Sequence, residues 1–446
     1  MHRSYKQAVE WLNRFSNYEK NSHTLKPAFS LRGIKILTNR LSNPQRSFKS
    51  IHVAGTVGKG SVCAILASVI QAAGFRTGLY TSPHLMDFRE RIRINGRMIS
   101  RKEFVEGAEE LRKAAREGQS EYTYFEILTA LAMWHFRRCG VEYAVVETGL
   151  GGRLDATRIV KPETAVITPI GHDHMQVLGR TLPAIAAEKA GIIPYNGIVV
   201  TAQQRPLAMK VLKNISKRRR ARLVQVENEV NCNVIKSATD GIYIKVTGLF
   251  DGELNKLFLP LAGEFQAQNA AIALTTIKMM MRAGFSLTPK YVHDGFSAVR
   301  FGGRMEFHKL GRHGLLLIDG AHNPSGAGAL AAALRKIPHR RLIIVVGMMK
   351  DKDLRGVLRI LSDAADEIVP VSLSFSRAFT AGEILQVAEQ KHKIKFCADN
   401  MGEALNYVLR CSGRSSRRAD IVCVTGSLYA VGEVYKYLGT DLHRLH

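Results

Sequence analysis

The chain has 446 residues, 46% of them hydrophobic and 23% charged, with a formal net charge of +26. That length exceeds one ordinary core and calls for two or three domains. No stretch approaches the roughly 18 consecutive apolar residues of a membrane span, so a membrane protein is not expected.

The charge raises nucleic acid as a partner. The basic residues are spread along the chain, however, with one dense run at Lys217–Arg222 and no interleaved aromatics. Zinc-finger and RRM signatures are missing as well, so no specific nucleic-acid partner is expected. Attraction of polyanionic substrates, or a generally basic proteome, explains the charge more economically. The six cysteines (Cys63, Cys139, Cys232, Cys397, Cys411, Cys423) include no C-x-x-C pair. That pattern fits a reducing cytoplasm and no zinc site.

In chain order, Tyr5, Ala8, Val9, Leu12 and Phe15 space an amphipathic helix over 5–15, and Glu10 and Glu19 argue against a transit peptide. Ile51 and Val53 read as a buried strand. A turn with Gly55, Gly58 and Gly60 follows, then an amphipathic helix from about Ser61 to Ala73. Glycines let the backbone fold tightly, so that its N–H groups can point at phosphate oxygens. Lys59 adds a point charge, Ser61 a hydroxyl able to reach Mg²⁺, and the helix N-terminus its positive end. The spacing departs from G-x-x-x-x-G-K-[ST], because Gly60 separates Lys59 from Ser61. A plain strand–helix turn with an incidental lysine is the alternative; a nucleotide-phosphate cradle is the better reading.

Val141–Glu147, Thr164–Thr168 and Ile198–Val200 are apolar runs of the kind parallel strands show when covered on both faces. Helical patterns fall at 101–117, 123–138 and 182–191. Between 222 and 262, Leu223–Val226, Ile242–Val246 and Leu257–Leu261, broken by Asp-Gly pairs, predict antiparallel β-structure. A helix over 266–283 follows, and Arg300–Arg304 reads as a linker. A second α/β series then has strands at Leu315–Asp319, Leu342–Gly347, Glu367–Val371 and Ile421–Thr425.

Polar loops follow most of these strands, where α/β proteins bind ligands. Glu147 closes a strand and could hold the Mg²⁺ that a phosphate cradle needs. His172, Asp173 and His174 follow another strand, and metal ligation competes there with an ordinary loop. Lys189, in a small-residue helix, reads by itself as a solvated lysine. Asp319-Gly-Ala-His-Asn-Pro324, Asp351-Lys-Asp353 and Thr425-Gly-Ser427 complete the series. One such loop is weak support for a ligand site; six on two α/β units is much stronger.

Together, His52–Ser61, Thr81–Leu85, Thr123–Glu126, Gly149–Thr157, Asp173-His174, Glu188–Ile192, Gln266–Ala271, Asp319–Pro324, Gly347–Leu354 and Val424–Val434 resemble, in order, the folylpolyglutamate synthase/dihydrofolate synthase family of the Mur ligase superfamily. The Gly-Lys-Gly-Ser spacing is that family's own form. The resemblance implies an α/β fold. A P-loop, Mur-ligase-like central domain (about 1–300) would carry a small β-rich section. A Rossmann-like C-terminal domain (about 301–446) would follow and close over ATP and glutamate. It also implies a cytoplasmic, ATP-dependent amide ligase, a monomer by default, that adds L-glutamate to dihydropteroate or folates through an acyl phosphate.

Carried over by position, Thr56, Gly58, Lys59, Gly60 and Ser61 would hold the ATP phosphates, with Asn269, Arg304 and Asp319 as further ATP contacts. Ser61, Ser82 and Glu147 would ligate one Mg²⁺, and His174 a second. Lys189 matches the lysine carbamylated in this superfamily, which would make it a metal-bridging carboxylate. Tyr122, Thr123, Tyr124, Phe125, Leu154, Asp155 and Ala156 match pteroate-side positions, while His322 and Ser427 match positions near the glutamate and acyl phosphate.

Four positions depart from the family pattern: Val57 for Asn, His172 for an apolar residue, Phe265 for His, and Phe301-Gly302 for Trp-Pro. None removes a proposed metal ligand or Lys59. Two other readings stay open. A Mur-type ligase for a different acid is opposed by the Thr123-Tyr-Phe-Glu126 segment. A non-catalytic nucleic-acid binder is opposed by the retained Lys59, Glu147, His174 and Lys189.

Overall fold

The computed structural model describes residues 4–17, 30–115, 122–310, 314–411 and 419–440. Glu19 and the last two residues of the helix expected over 101–117 lie outside them. The chain forms two compact units. One comprises 1–233, 244–258 and 267–299; the other comprises 234–243, 259–266 and 300–446.

Among the described residues, the first unit is built on an eight-stranded sheet. Its strands are β1 (Lys49–Ala54), β2 (Thr77–Tyr80), β3 (Ile92–Ile94), β4 (Arg97–Met98), β5 (Tyr143–Glu147), β6 (Thr164–Ile167), β7 (Ile198–Thr201) and β8 (Arg222–Gln225). They lie in the order β4-β3-β2-β5-β1-β6-β7-β8. The six from β2 to β8 are parallel, and β3 and β4 add an antiparallel edge. The central strands β1, β5 and β6 are almost wholly buried, as their continuous apolar sequences require. The chain leaves β1 towards β2 and leaves β6 towards β7, so the crossovers diverge between these two neighbours. Such a switch point opens a crevice at the carboxyl ends of the strands.

Three expectations fail here. The segment 223–226 is not antiparallel: β8 pairs in parallel with β7. The reason is the intervening helix Pro206–Arg218, absent from the sequence reading, which supplies the crossover that a parallel pair needs. The helix expected over 61–73 runs from Lys59 to Ala72, and it is not amphipathic. Every residue from Gly60 to Ala67 is buried, as are Val69 and Ile70. The helix Pro289–Ser297 packs so closely that a Cβ on Gly295 would lie 2.6 Å from the Val69 Cα, and Ser68 Oγ donates to Gly295 O at 2.6 Å, so that flank is covered as well. The N-terminal helix stops at Leu12, and Phe15 folds back edge-on to Trp11 at 5.0 Å.

A separate three-stranded sheet comprises β9 (Asn231–Ala238), β10 (Gly241–Thr247) and β11 (Leu254–Leu259), with β10 in the middle. β9 is mostly exposed and lacks the apolar run that revealed its neighbours.

The second unit carries a five-stranded sheet among the described residues. Its strands are β12 (Glu306–Lys309), β13 (Leu315–Ile318), β14 (Leu342–Val346), β15 (Glu367–Pro370) and β16 (Ile421–Thr425), ordered β12-β13-β16-β14-β15. Only β12 runs antiparallel. Its core joins Leu317, Ile344, Val346 and Cys423 to Leu330 and Leu334 of one helix and to Val357, Leu358 and Leu361 of another.

Candidate active site

The loop after β1 is shaped by glycines that no other residue replaces at the same cost. Gly58 caps the helix Lys59–Ala72 at φ +84°, and a Cβ there would lie 2.3 Å from Asn269 Oδ1. Gly55 has φ +150°, and its missing Cβ would fall 1.8 Å from Thr168 Oγ1. Glycine therefore serves both the backbone conformation and the close approach of two neighbouring segments. The cap position supplies no side chain to the first turn, and the helix presents its positive end to the crevice.

The loop after β6 braces this turn. Thr56 N donates to Pro169 O at 3.0 Å, and Gly171 N donates to Thr56 Oγ1 at 3.0 Å. Lys189, 5% exposed, reaches from the helix Leu182–Lys189 and donates from Nζ to Gly55 O at 2.6 Å. At the end of β5, the buried Glu147 lies 3.9 Å from Lys59 Nζ and accepts from Ser82 N at 3.3 Å. The structure thus brings together Thr56, Gly58, Lys59, Ser82, Glu147, Lys189 and Asn269. Ser61 is buried in the first helical turn. His174 sits on the loop after β6 in the left-handed region, its Nε2 3.7 Å from Asp173 Oδ1, while His172 is exposed.

The expected pteroate-side residues divide. Phe125 packs against Gly149 in the loop after β5, where a Cβ on the glycine would be 2.5 Å from the ring. Tyr122 and Tyr124 are buried in the same apolar cluster as Ala156, and Thr123 caps the helix Tyr124–Arg138. Asp155 is buried and accepts from Leu150 N and Thr157 N, so its carboxylate shapes the Leu154–Ala156 turn. Burial raises its pKa from the ordinary value, against the pull of those donors.

Glu126, part of the Thr123–Glu126 segment, also has a structural role of its own. Its carboxylate accepts from Thr123 N at 2.8 Å, closing a capping box, and from Ile34 N at 2.9 Å in the first turn of a second helix. The spacing Thr-x-x-Glu ahead of an apolar run is the signal that could have found it.

In the second unit, Asp319 follows β13 and is pinned by Met305 N at 2.9 Å and Ala321 N at 2.8 Å. Burial raises its pKa, and the Arg304 guanidinium opposes that shift. His322 donates from Nδ1 to Gly320 O at 2.9 Å, a carbonyl being able only to accept. Ser427, after the adjacent β16, caps the helix Leu428–Leu438. Gly426 N ties the two loops together by donating to Ala321 O at 2.9 Å.

One further group, Glu103, His135 and Cys139, has ligand atoms within 4.8 Å of one another. Arg138 acts on all three and Arg76 on Cys139, an environment that opposes a dication.

Residues 53–277 match the Mur ligase middle domain, and 303–428 match the Mur ligase glutamate ligase domain. A dihydrofolate synthase/folylpolyglutamate synthase of Mycobacterium tuberculosis is 34% identical, over 92% of this chain and 90% of its own. The Bacillus subtilis protein of the same name is 31% identical, over 98% of this chain and 100% of its own. Among solved structures, Mycobacterium tuberculosis folylpolyglutamate synthase complexed with ADP and AMPPCP superposes with a TM-score of 0.89 at 32% identity, covering 98% of both chains. The Escherichia coli FolC complex with DHPP and ADP gives 0.83 at 28% identity, covering 97% of both. The chain belongs to the folylpolyglutamate synthase/dihydrofolate synthase family of the Mur ligase superfamily.

Proposed function

We propose that the chain is an ATP-dependent ligase that joins L-glutamate to dihydropteroate, to reduced folates, or to both, releasing ADP and phosphate. The observation that carries this reading is the glycine loop after β1, with Lys59 beside the buried Glu147 at a strand switch point. Relatives covering nearly the whole chain are named for this activity, and one was solved with both DHPP and ADP.

A carboxylate is a poor electrophile, so its oxygen first attacks the γ-phosphorus of ATP and the bond to ADP breaks. The glutamate amine then attacks the acyl carbon. The tetrahedral intermediate expels phosphate, and the amine loses its proton. In this scheme Thr56, Gly58, Lys59, Gly60 and Ser61 cradle the phosphates, and Lys59 offsets negative charge gathering on the transferred group. Asn269, Arg304 and Asp319 contact the nucleotide. Phe125 and the Leu154–Ala156 turn face the pterin acid, and His322 and Ser427 act near the glutamate and acyl phosphate.

The oxygen donors Ser61, Ser82, Glu147 and a Lys189 carbamate suit Mg²⁺, a hard cation that takes oxygen ligands, and His174 would add one nitrogen. Ser61, Ser82 and the buried Glu147 would hold one ion; His174 and a carbamylated Lys189 would hold a second. When bound, the metal neutralises charge on the phosphoryl oxygens. A carbamate nitrogen keeps one N–H, so the bond from Lys189 to Gly55 O survives that modification.

We take the enzyme to act as a monomer in the cytoplasm, without a specific nucleic-acid or membrane partner. Among the described residues no helix is long and apolar enough to cross a membrane. ADP release with Mg²⁺, ATP and L-glutamate tests the reading, with 7,8-dihydropteroate and tetrahydrofolate compared. Activity with dihydropteroate alone assigns dihydrofolate synthase, and activity with both assigns a bifunctional enzyme. Silence with both, in protein that binds ATP, points to another acid.

A further inference from the structure

A groove of about 710 Å³ lies on the first unit, away from the loop after β1. Its lining residues Asn43, Gln45 and Arg46 precede β1, Val160 and Lys161 precede β6, Tyr195 precedes β7, and Arg219 precedes β8. Those are the amino ends of parallel strands, whereas Lys59 and Glu147 stand at the carboxyl ends. The groove therefore lies away from Lys59 and Glu147, and Arg153 and Arg158 reach it from either side of the Leu154–Ala156 turn.

Its charge is one-sided. Lys35, Arg46, Arg153, Arg158, Lys161 and Arg219 line it, and no Asp or Glu does. Of these six, only Arg153 makes an ion pair among the described residues, to Glu188 at 2.8 Å. Arg158 and Arg219 converge on one carbonyl: Arg158 Nε donates to Gly191 O at 2.6 Å, and Arg219 donates to the same oxygen at 3.0 Å. Arg219 also donates to Ala190 O and Ile193 O, and its guanidinium lies 5.4 Å from the exposed Tyr195 ring centre. Two guanidinium groups held side by side without a carboxylate repel one another; burial first, and then the Arg219 charge, lowers the Arg158 pKa. An anion seated between them would relieve the repulsion, and fixed arginine forks suit carboxylates and phosphates.

Arg219 also explains part of the basic run Lys217–Arg222. Lys217, Arg218, Arg220 and Arg222 are exposed, while Arg219 turns into the groove. Apolar wall residues Leu31, Ile36, Ile159 and Val160 complete a concave site of small-ligand size, unlike the extended charged stripe that nucleic acid requires.

We propose that this groove is a second ligand site, for a small polyanion carrying two or more phosphate or carboxylate groups, gripped by Arg158 and Arg219 with Arg46 and Lys161 around them. The test is calorimetric titration of the whole enzyme, its nucleotide site saturated with ADP, with tripolyphosphate in one arm and citrate in the other. One equivalent of at least one probe should bind, and the tighter arm names the anion class. Arg46→Gln/Lys161→Gln changes two exposed side chains and spares the fold; it should weaken binding at least tenfold, and Arg158→Gln should do the same. Unchanged affinity in the folded double variant, or no binding by either probe, overturns the proposal. So does tighter, length-dependent binding of a single-stranded oligonucleotide, which would make the surface a nucleic-acid stripe.

Discussion

Lys189 Nζ donates to the carbonyl oxygen of Gly55 at 2.6 Å, joining the end of one helix to the first residue of the phosphate loop. The lysine is 5% exposed, so this contact replaces hydration that an ammonium would otherwise keep. Nothing local in the helix Leu182–Lys189 signals this contact, because 134 residues separate the partners.

Lys189→Ala removes both that brace and the proposed carbamate. Turnover should fall at least about a hundredfold, the scale of losing one fixed electrostatic group. Added formate or acetate should restore part of it if a carbamate oxygen ligates metal. Steady-state ADP release with and without the short carboxylates decides this, and a fully active variant would end the role.

Lys59→Ala tests the cradle. Turnover should drop by about a hundredfold or more while the far-UV spectrum and melting temperature stay near wild type, since the side chain is partly exposed and meets Glu147 only at 3.9 Å. Retained turnover would remove Lys59 from the mechanism.

Gly58→Ala separates geometry from charge. Its φ of +84° costs an L-residue about 1–2 kcal/mol, and the new Cβ would displace Asn269 Oδ1. ADP affinity should weaken by about tenfold or more, and urea unfolding should show a loss of that order. A variant that binds ADP normally would mean that the loop adapts and that Asn269 is not held by it.

How far the fold could be read from sequence depended on burial. The apolar runs at Val141–Glu147, Thr164–Thr168 and Ile421–Thr425 became central strands because a strand covered on both faces has few polar options. β9 and the helix Pro206–Arg218 escaped notice because much of each faces solvent, and missing that helix turned a parallel β8 into an expected antiparallel one. At the site, glycine spacing and strand-end carboxylates were visible in the chain. The contacts that fix them, Thr56 with Gly171 and Gly58 with Asn269, join residues 115 and 211 positions apart (171 − 56 and 269 − 58) and carry no local signal.

Glu126 should matter to stability more than its helix position suggests. One carboxylate closes the capping box with Thr123 and also accepts from Ile34 N of another helix. Glu126→Ala loses two charge-assisted bonds from backbone donors and should destabilise the first unit by about 2–4 kcal/mol. Urea midpoints give the answer, and a loss below about 0.5 kcal/mol would mean that water takes over both donors.

His52 supplies a pH test outside the proposed chemistry. Thr157 Oγ1 donates to Asp155, so it accepts from His52 Nε2–H at 2.8 Å, which fixes the neutral tautomer in a fully buried ring. Burial, then the Arg158 charge, pushes the His52 pKa down to about 3. The sign follows from proton counts. Below the unfolded value of about 6.5 the unfolded chain binds a proton that the folded chain refuses, so stability is lost as pH falls from about 6.5 towards 3. The slope from this one group approaches about 1.4 kcal/mol per pH unit. His52→Gln keeps an N–H for Thr157 and cannot titrate, so its melting temperature should fall less steeply than wild type between pH 6.5 and 4. Parallel profiles would show that the imidazole protonates in the folded chain.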